Sequence, residues 1–302
     1  MHQFTPKDAL PDGNNPGGSL QPGHLACAGC GLPPALDILR QVLGHKCVFV
    51  VPACCYTIVD GAYPFSASGV PLLHCAFETA AATAAGVKAG MEASGAGEAE
   101  VVAIAGDGGT FDIGFQALSS AAERNENILY FCYDNEAYMN TGIQKSSATP
   151  LFAWTTTTPQ GDPKNRPKKD LGAIMAAHRI PYFASASLSD PADLFQKLQT
   201  AKRMRGFRMI HYLCPCPTGW KAESSQMVAL ARKAVECRLF PLYEIFAGER
   251  LVVTANPKPV PVEKYLEMQG RFRGLTREQK EEIQKEADGN WRRLTRNALS
   301  SR

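Results

Sequence analysis

The chain has 302 residues, is 45% hydrophobic and carries a formal net charge of +3, enough apolar content for one large α/β unit or two modest ones. So small a charge imbalance gives no case for a nucleic-acid partner, and no apolar run is long enough to cross a membrane. The polar, Pro- and Gly-rich N-terminus lacks the hydrophobic segment of a signal peptide, so residues 1–20 read as a loose arm and a cytoplasmic location is expected.

In chain order, a tight Cys27-Ala28-Gly29-Cys30 is followed by a helix-like stretch over 35–43 and a strand-like run over 48–52, which ends at Cys54 and Cys55. Small residues over 77–93 predict a closely packed helix, and the apolar run 101–105 predicts a buried strand that stops at Gly106-Asp107-Gly108. Phe111, Phe115, Leu118 and Ala122 recur at helical spacing and predict a helix over 111–125. A second apolar strand, 128–133, ends at Asp134-Asn135, and a loop rich in amides and hydroxyls runs from there to Pro150. The basic run 163–169 reads as a solvated loop, or else as a patch that meets an acidic ligand or partner. Next come a helix over 169–177 with Asp170 as its cap, a strand near Tyr182, a helix over 191–203, and a strand over 209–213 leading to Cys214 and Cys216. A charged helix over 276–299 opens with the capping-box residues Thr276 and Gln279; it suits wrapping a partner or the parent domain better than forming its own core. Strand–helix alternation of this kind predicts a parallel sheet.

Two strand ends carry specific chemistry. Asp107 and Asn135 would stand at one sheet edge, the place where open α/β sheets bind ligands. Magnesium takes about six oxygens in a near-octahedral shell, commonly one or two carboxylates together with phosphates. Asp107 supplies an anionic oxygen, Asn135 a neutral one and the Ala137 carbonyl a third, which makes a magnesium clamp for a diphosphate. Gly106, Gly108 and Gly109 allow the backbone to approach that anion, and a helix starting near Phe111 would aim its N-terminal amides at it. Asn140, Thr141 and Gln144, around Gly142, either donate hydrogen bonds to substrate or diphosphate or satisfy the loop's own backbone.

Ten cysteines exceed what packing needs and, without a secretion signal, argue for metal or redox chemistry rather than disulfides. Cys27/Cys30, Cys54/Cys55 and Cys214/Cys216 lie at strand ends or helix starts, positions that a doubly wound fold can bring to one side of its sheet. Cys47, Cys75, Cys132 and Cys237 are expected to be small buried hydrophobes. Four thiols suit zinc or an iron–sulfur cluster. A single Cys-x-x-Cys, with the other thiols far apart, favours a cluster held by the fold over a zinc ribbon.

Residues 24–31 (HLACAGCG), Pro52-Ala53-Cys54-Cys55, Gly106-Asp107-Gly108, residues 134–142 (DNEAYMNTG) and residues 215–220 (PCPTGW) resemble, in this order, the β subunit of 2-oxoacid:ferredoxin oxidoreductases. The likeness is nearest to the pyruvate:ferredoxin oxidoreductases (pyruvate synthases) and runs from about residue 20 into the C-terminal region. It implies a thiamine diphosphate-binding α/β fold with a mainly parallel central sheet flanked by helices. Residues 21–250 would form that domain with its cluster-ligating cysteines, and 251–302 a C-terminal helical extension on the partner or parent domain. The implied cofactors are thiamine diphosphate, Mg2+ and one [4Fe–4S] cluster. By position, Asp107, Asn135 and the Ala137 carbonyl match the magnesium ligands, and Cys27, Cys30, Cys55 and Cys216 the cluster ligands. Gly106, Gly108, Gly109, Thr141 and Gly142 fall among the cofactor-binding positions, and Asn140 where the family places an amide near the 2-oxoacid. Cys54 replaces a small residue, commonly glycine, and Cys214 is an added thiol.

The implied reaction is the reversible, coenzyme A-dependent oxidative decarboxylation of a 2-oxoacid, with electrons leaving singly through the cluster to ferredoxin. The family takes its aminopyrimidine-contacting Glu from an α subunit, and neither Glu78 nor Glu136 is in the matching context. The repeated Cys-x-x-Cys-x-x-Cys of a ferredoxin module is also missing, so α, γ and δ (ferredoxin-like) subunits or domains are implied as partners. Three alternatives stand beside this: the same chemistry on 2-oxoisovalerate, aryl-pyruvate, 2-oxoglutarate or oxalate; a non-redox thiamine decarboxylase or carboligase; and a zinc-binding assembly subunit.

Overall fold

Every residue from Val101 to Ala105 is fully buried, and the strand's side chains divide between two cores: Val102 and Ile104 face one, Val101, Ala103 and Ala105 the other. That is the period-two pattern of a strand covered on both faces, as a parallel sheet requires. The computed structural model describes residues 19–300, with side chains to 298, so the arm expected over 1–20 lies almost entirely outside the described residues.

The elements are α1 (Leu32–Leu43), β1 (Cys47–Pro52), α2 (Cys55–Asp60), β2 (Leu72–Cys75), α3 (Ala80–Ala93), β3 (Glu100–Gly106), α4 (Phe115–Glu123), β4 (Leu129–Asp134) and α5 (Leu171–Ala177). They continue as β5 (Tyr182–Ser187), α6 (Pro191–Arg203), β6 (Arg208–Leu213), α7 (Pro217–Trp220), α8 (Met227–Glu236), β7 (Tyr243–Phe246), β8 (Arg250–Val253), α9 (Glu263–Leu266) and α10 (Arg277–Ser300). The sheet order is β2-β1-β3-β4-β6-β5-β7-β8. The first six strands in that order are parallel, and β7 and β8 are antiparallel additions. Because β1, β3, β4 and β6 are parallel neighbours, their C-terminal ends share one edge. Cys54/Cys55, Asp107, Asn135 and Cys214/Cys216 all follow those ends directly.

One core packs α1 and α6 on the sheet through Leu36, Leu39, Leu194 and Leu198; the other packs α3, α4 and α5 through Ala81, Ala84, Leu118 and Met175. A third gathers Trp220, Leu230, Tyr265, Phe272 and Ile283 under the C-terminal helices. Asp170 caps α5 by accepting from the Ala173 N–H at 3.0 Å. The expected capping box precedes α10: the Thr276 N–H donates to Gln279 Oε1 at 2.9 Å and the Gln279 N–H to Thr276 Oγ1 at 3.3 Å. That helix turns Ile283, Ala287 and Trp291 inward onto this chain. Cys47, Cys132 and Cys237 are buried as expected, and Cys75 is half-buried against the second core.

The helix expected over 111–125 is interrupted. Gly108–Asp112 forms a π-helical turn, and α4 starts only at Phe115, with Gly114 as its N-cap. Gly114 permits the close approach this needs, since a Cβ there would fall 2.0 Å from the Gly109 carbonyl oxygen. Gly114→Ala should therefore unseat the turn beside Asp107 and lower stability by about 1–3 kcal/mol, the usual cost of overpacking. Urea unfolding checks this; an unchanged midpoint would show that the contact relaxes freely.

Candidate active site

Asp107, at the end of β3, is 1% exposed, and Ser146 donates to its Oδ2 at 2.5 Å. The Asn135 side-chain amide, at the end of β4, lies 2.9 Å from both Asp107 Oδ1 and the Ala137 carbonyl oxygen. With its nitrogen turned inward Asn135 donates to both; with its oxygen inward it sets a third oxygen beside them. Adjacent oxygens around octahedral magnesium, at about 2.0–2.1 Å from the ion, lie about 2.9 Å apart. The three groups therefore fit the shell of such a cation. Burial, with Asp134 close by, pushes the Asp107 carboxyl well above the ordinary carboxylate range. Among the described residues no cation lies within ion-pair distance of it.

The neighbouring acids are paired. Asp134 receives Lys168 at 2.5 Å and His211 at 2.7 Å. Burial opposes its ionisation, but Lys168 and His211 outweigh that and hold it down at about 2. Glu136 accepts from Lys168 at 2.9 Å and from Arg271 at 2.6 Å. The basic run 163–169 is thus not a solvated loop. Lys164 is 7% exposed and donates to the carbonyls of Thr149, Ser147 and Pro167, and Lys169 donates to that of Phe111. These lysines strap the loop after β4 to the strand ends, because carbonyls and acids buried there need donors.

Loop residues pack the clamp from above. A Cβ on Gly108 would fall 2.3 Å from the Tyr138 ring, and Phe77 lies over Gly109. Tyr138 also donates to Asp112 at 3.0 Å. Thr141 and Gln144 hydrogen-bond to each other at 2.5 Å in an exposed turn around Gly142 (φ +111°), so they satisfy the loop rather than point into the clamp. Asn140 is exposed, and its Oδ1 accepts from the Cys55 thiol at 3.6 Å.

The thiols lie along the same edge without closing into one group. Asn135 Nδ2 donates to Cys55 Sγ at 3.7 Å, so the Asp107–Ala137 oxygens and Cys55 are one side chain apart. Cys30 Sγ accepts the Leu32 N–H at 3.5 Å at the start of α1, and Cys216 Sγ accepts the Gly219 N–H at 3.4 Å at the start of α7. Burial pushes Cys55 up to about 12, and Cys216, Cys54 and Cys30 add to the shift. Burial likewise lifts Cys216 to about 11, with Cys30 and Cys27 contributing. A hydrogen bond from Cys214 draws Cys30 down to about 7 and drives Cys214 up. Cys54 instead is directed to Tyr133 and the first turn of α2. Among the described residues no three His, Cys, Asp or Glu side chains are closed into a ready ligand set.

A model of the thiamine pyrophosphate enzymes' C-terminal TPP-binding domain matches residues 55–212. The pyruvate synthase subunit PorB of Methanothermobacter marburgensis is 49% identical over 272 residues, which cover 89% of this chain and 94% of that one. The ketoisovalerate oxidoreductase subunit VorB of Pyrococcus abyssi is 46% identical over 282 residues, covering 90% and 91%. The chain belongs to the 2-oxoacid:ferredoxin oxidoreductase β subunits. A solved 2-oxoglutarate:ferredoxin oxidoreductase from Magnetococcus marinus shares the fold, with a TM-score of 0.57 at 20% identity over 77% of this chain and 81% of that one.

In this β subunit, an oxidoreductase with a thiamine diphosphate-binding domain, four residues at the site were not anticipated from sequence. They are Ser146 on Asp107, Lys168 and Arg271 on Glu136, and Trp220, whose indole N–H donates to the Asn135 carbonyl at 2.8 Å. Ser146 lay within the loop singled out after β4 and Lys168 within the basic run 163–169; Arg271 gave no local signal. A cavity of about 670 Å3 sits behind the ion network, under α10, lined by Glu136, Lys168, His211, Phe240, Tyr265 and Ile283 among others. Asp107, Asn135, Ala137 and the cysteines do not line it, so this cavity and the strand-end edge are separate places in the fold. No helix among the described residues is long and apolar enough to cross a membrane.

The strap has a pH signature. Burial, and Lys168 beside it, draw Lys164 down from 10.5 to about 8. The folded chain releases this proton before the unfolded chain does, so Lys164's contribution to stability rises as pH climbs from about 8 to 10.5. The stability difference between wild type and Lys164→Met, from urea unfolding, should move toward wild type across that window. A difference independent of pH would contradict a desolvated ammonium.

Proposed function

We propose that this β subunit holds thiamine diphosphate, Mg2+ and one [4Fe–4S] cluster and acts on pyruvate. The overall reaction is pyruvate, coenzyme A and oxidised ferredoxin to acetyl-CoA, CO2 and reduced ferredoxin, in either direction. The observation that carries this reading is the placement of Asn135, whose side chain faces Asp107 and Ala137 at 2.9 Å on one side and Cys55 Sγ at 3.7 Å on the other. A cation-held diphosphate and a thiol-held cluster would then be neighbours, as single-electron transfer between the two groups would need.

When bound, thiamine diphosphate supplies the carbon nucleophile and electron sink for decarboxylation, and the cluster takes electrons singly. The chain's own residues hold and orient. Asp107, Asn135 and the Ala137 carbonyl ligate the magnesium, and Ser146 fixes the Asp107 carboxylate by its hydrogen bond. Cys27, Cys30, Cys55 and Cys216 hold the cluster, with the Leu32 and Gly219 N–H groups donating to two of the sulfurs. Such donors stabilise anionic sulfur and tune its potential. Asn140, exposed beside Cys55, offers its amide to the 2-oxoacid. Glu136 is taken by Lys168 and Arg271 and Glu78 is exposed, so an α subunit supplies the carboxylate for the aminopyrimidine. Leu25, Ile58, Tyr63 and Phe65, 44–97% exposed near the cysteine edge, suit a face covered by partner subunits. The γ and δ subunits and ferredoxin would then carry electrons away, in the cytoplasm.

Anaerobic purification with these partners should yield one thiamine per β chain, and iron and sulfide in excess of the partners' own clusters by one [4Fe–4S] per β chain. A scan of 2-oxoacids with a viologen dye should favour pyruvate; preference for 2-oxoisovalerate would move the substrate assignment. Asp107→Ala should weaken cofactor binding beyond the roughly 10–100-fold that outer partners of a metal cost, while the cluster's visible absorbance stays. Cys216→Ser should lose the cluster-dependent dye reduction. Full reduction by Cys216→Ser removes it from the ligand set, and zinc without iron, sulfide or thiamine overturns the reading.

A further inference from the structure

Glu136 stands between two of the proposed cation ligands, Asn135 and Ala137, with its backbone in the left-handed region at φ +68°. A residue with a side chain adopts that region only when its surroundings hold it there. The turn it makes brings the Asn135 amide to 2.9 Å from the Ala137 carbonyl. All four of its polar atoms are engaged. The N–H donates to Asp134 Oδ1 at 3.0 Å and the carbonyl accepts from Thr149 Oγ1 at 2.7 Å. Oε1 accepts from Lys168 at 2.9 Å and Oε2 from Arg271 at 2.6 Å.

Arg271 comes from the turn Gly270–Phe272, 135 positions along the chain, and is 3% exposed. Its guanidinium lies 4.0 Å from the Trp220 ring centre, and that indole donates to the Asn135 carbonyl at 2.8 Å. Its Nε donates to Gln269 at 2.8 Å and its Nη2 also reaches the Tyr265 hydroxyl at 3.2 Å. One side chain thus braces both residues 135 and 136, by stacking and by a charged hydrogen bond.

We propose that Arg271 is a positioning residue for the cofactor, fixing Asn135 and Ala137 through Glu136 and Trp220, so that the C-terminal segment sets affinity for the metal–diphosphate. This rests on the cation reading above. Outer partners of metal ligands commonly govern affinity by about 10–100-fold, without touching the ion.

The test uses the assembled complex stripped of thiamine diphosphate and magnesium. Mg2+ is titrated at fixed thiamine diphosphate, with binding followed by tryptophan fluorescence and the cluster's absorbance recorded as a separate sign of folding. Arg271→Ala should raise the half-saturating Mg2+ by about 10-fold or more, with kcat at saturating cofactor within about twofold of wild type. Arg271→Lys should recover part of the loss, since an ammonium can pair with Glu136 but lacks the planar stack. Glu136→Gln, nearly isosteric, should show the same rise and carries the test should Arg271→Ala fail to assemble. The double variant should be no worse than the larger single effect, because both remove one interaction. Arg277→Ala, in the exposed Arg277–Glu281 pair of α10, should change nothing.

An unaltered Mg2+ requirement in Arg271→Ala or Glu136→Gln overturns the proposal. So do multiplicative effects in the double variant, or a kcat loss that saturating Mg2+ does not restore. If wild type binds thiamine diphosphate without any divalent cation, the cation reading itself fails, a distinguishable result.

Discussion

Three carboxyls are buried at the ends of two adjacent strands, and charge balance there constrains everything around them. Asp107, Asp134 and Glu136 are each at most 5% exposed. An unpaired buried carboxylate is strongly disfavoured, and paired ones still need good geometry and full hydrogen bonding. Lys168 is shared by Asp134 and Glu136, and Arg271 is committed to Glu136. Burial draws the His211 pKa down despite Asp134 beside it, which makes it a weaker source of positive charge than Lys168 or Arg271. Asp107 is left with a hydroxyl donor. Adding a diphosphate would make the deficit of positive charge worse, and a divalent cation between the two resolves it. On the proposed reading, the edge that disfavours a bare Asp107 would favour a metal–diphosphate over a free anion.

The sheet's parallel order turns separate segments into one site. Residues 54–55, 107, 135 and 214–216 are far apart in sequence but follow strands that lie side by side in the order β1-β3-β4-β6. The thiols face a version of the same electrostatic difficulty. Burial raises Cys55 and Cys216, and each raises or is raised by neighbouring sulfurs. Several thiolates cannot coexist there without positive charge among them, which iron would supply. Asn135 links the two problems, because its amide touches the oxygen group and Cys55 while its carbonyl is held by Trp220 from the Cys216 segment.

What was legible in sequence was what local pattern encodes. The strands ending at Gly106 and Asp134 are short uninterrupted apolar runs, the caps of α5 and α10 are read from one or two residues, and the oxygen donors follow the strand ends directly. The four-residue edge strand β2 and the antiparallel β7 and β8 gave no comparable signal; they are short and partly exposed, and depend on a sheet already present. The π-helical turn was hidden because the helical period of Phe111, Phe115 and Leu118 runs through it, whereas the contact of Gly114 on Gly109 exists only in three dimensions. The lysines of 163–169 looked solvated for a similar reason. Their partners are main-chain carbonyls and acids in other segments, and a charge run does not show which way it faces.

The same long-range logic explains how the site is closed. On its inner side the chain supplies its own wall: Arg271 and Trp220 stack behind Asn135 and Glu136, and α10 buries Ile283, Ala287 and Trp291 over the third core. Near the cysteines, by contrast, Tyr63 is 97% exposed and Leu25 61%, and Asn140 stands open beside Cys55. A decarboxylating centre that passes electrons on must exclude water from the reacting carbon yet leave a short path outward for the electron. On the proposed reading a rigid inner wall would meet the first need, and an apolar outer face that partner subunits could cover would meet the second. The division between a self-closed back and an open apolar front follows from where this chain spends its buried charges and where it leaves large apolar side chains in water.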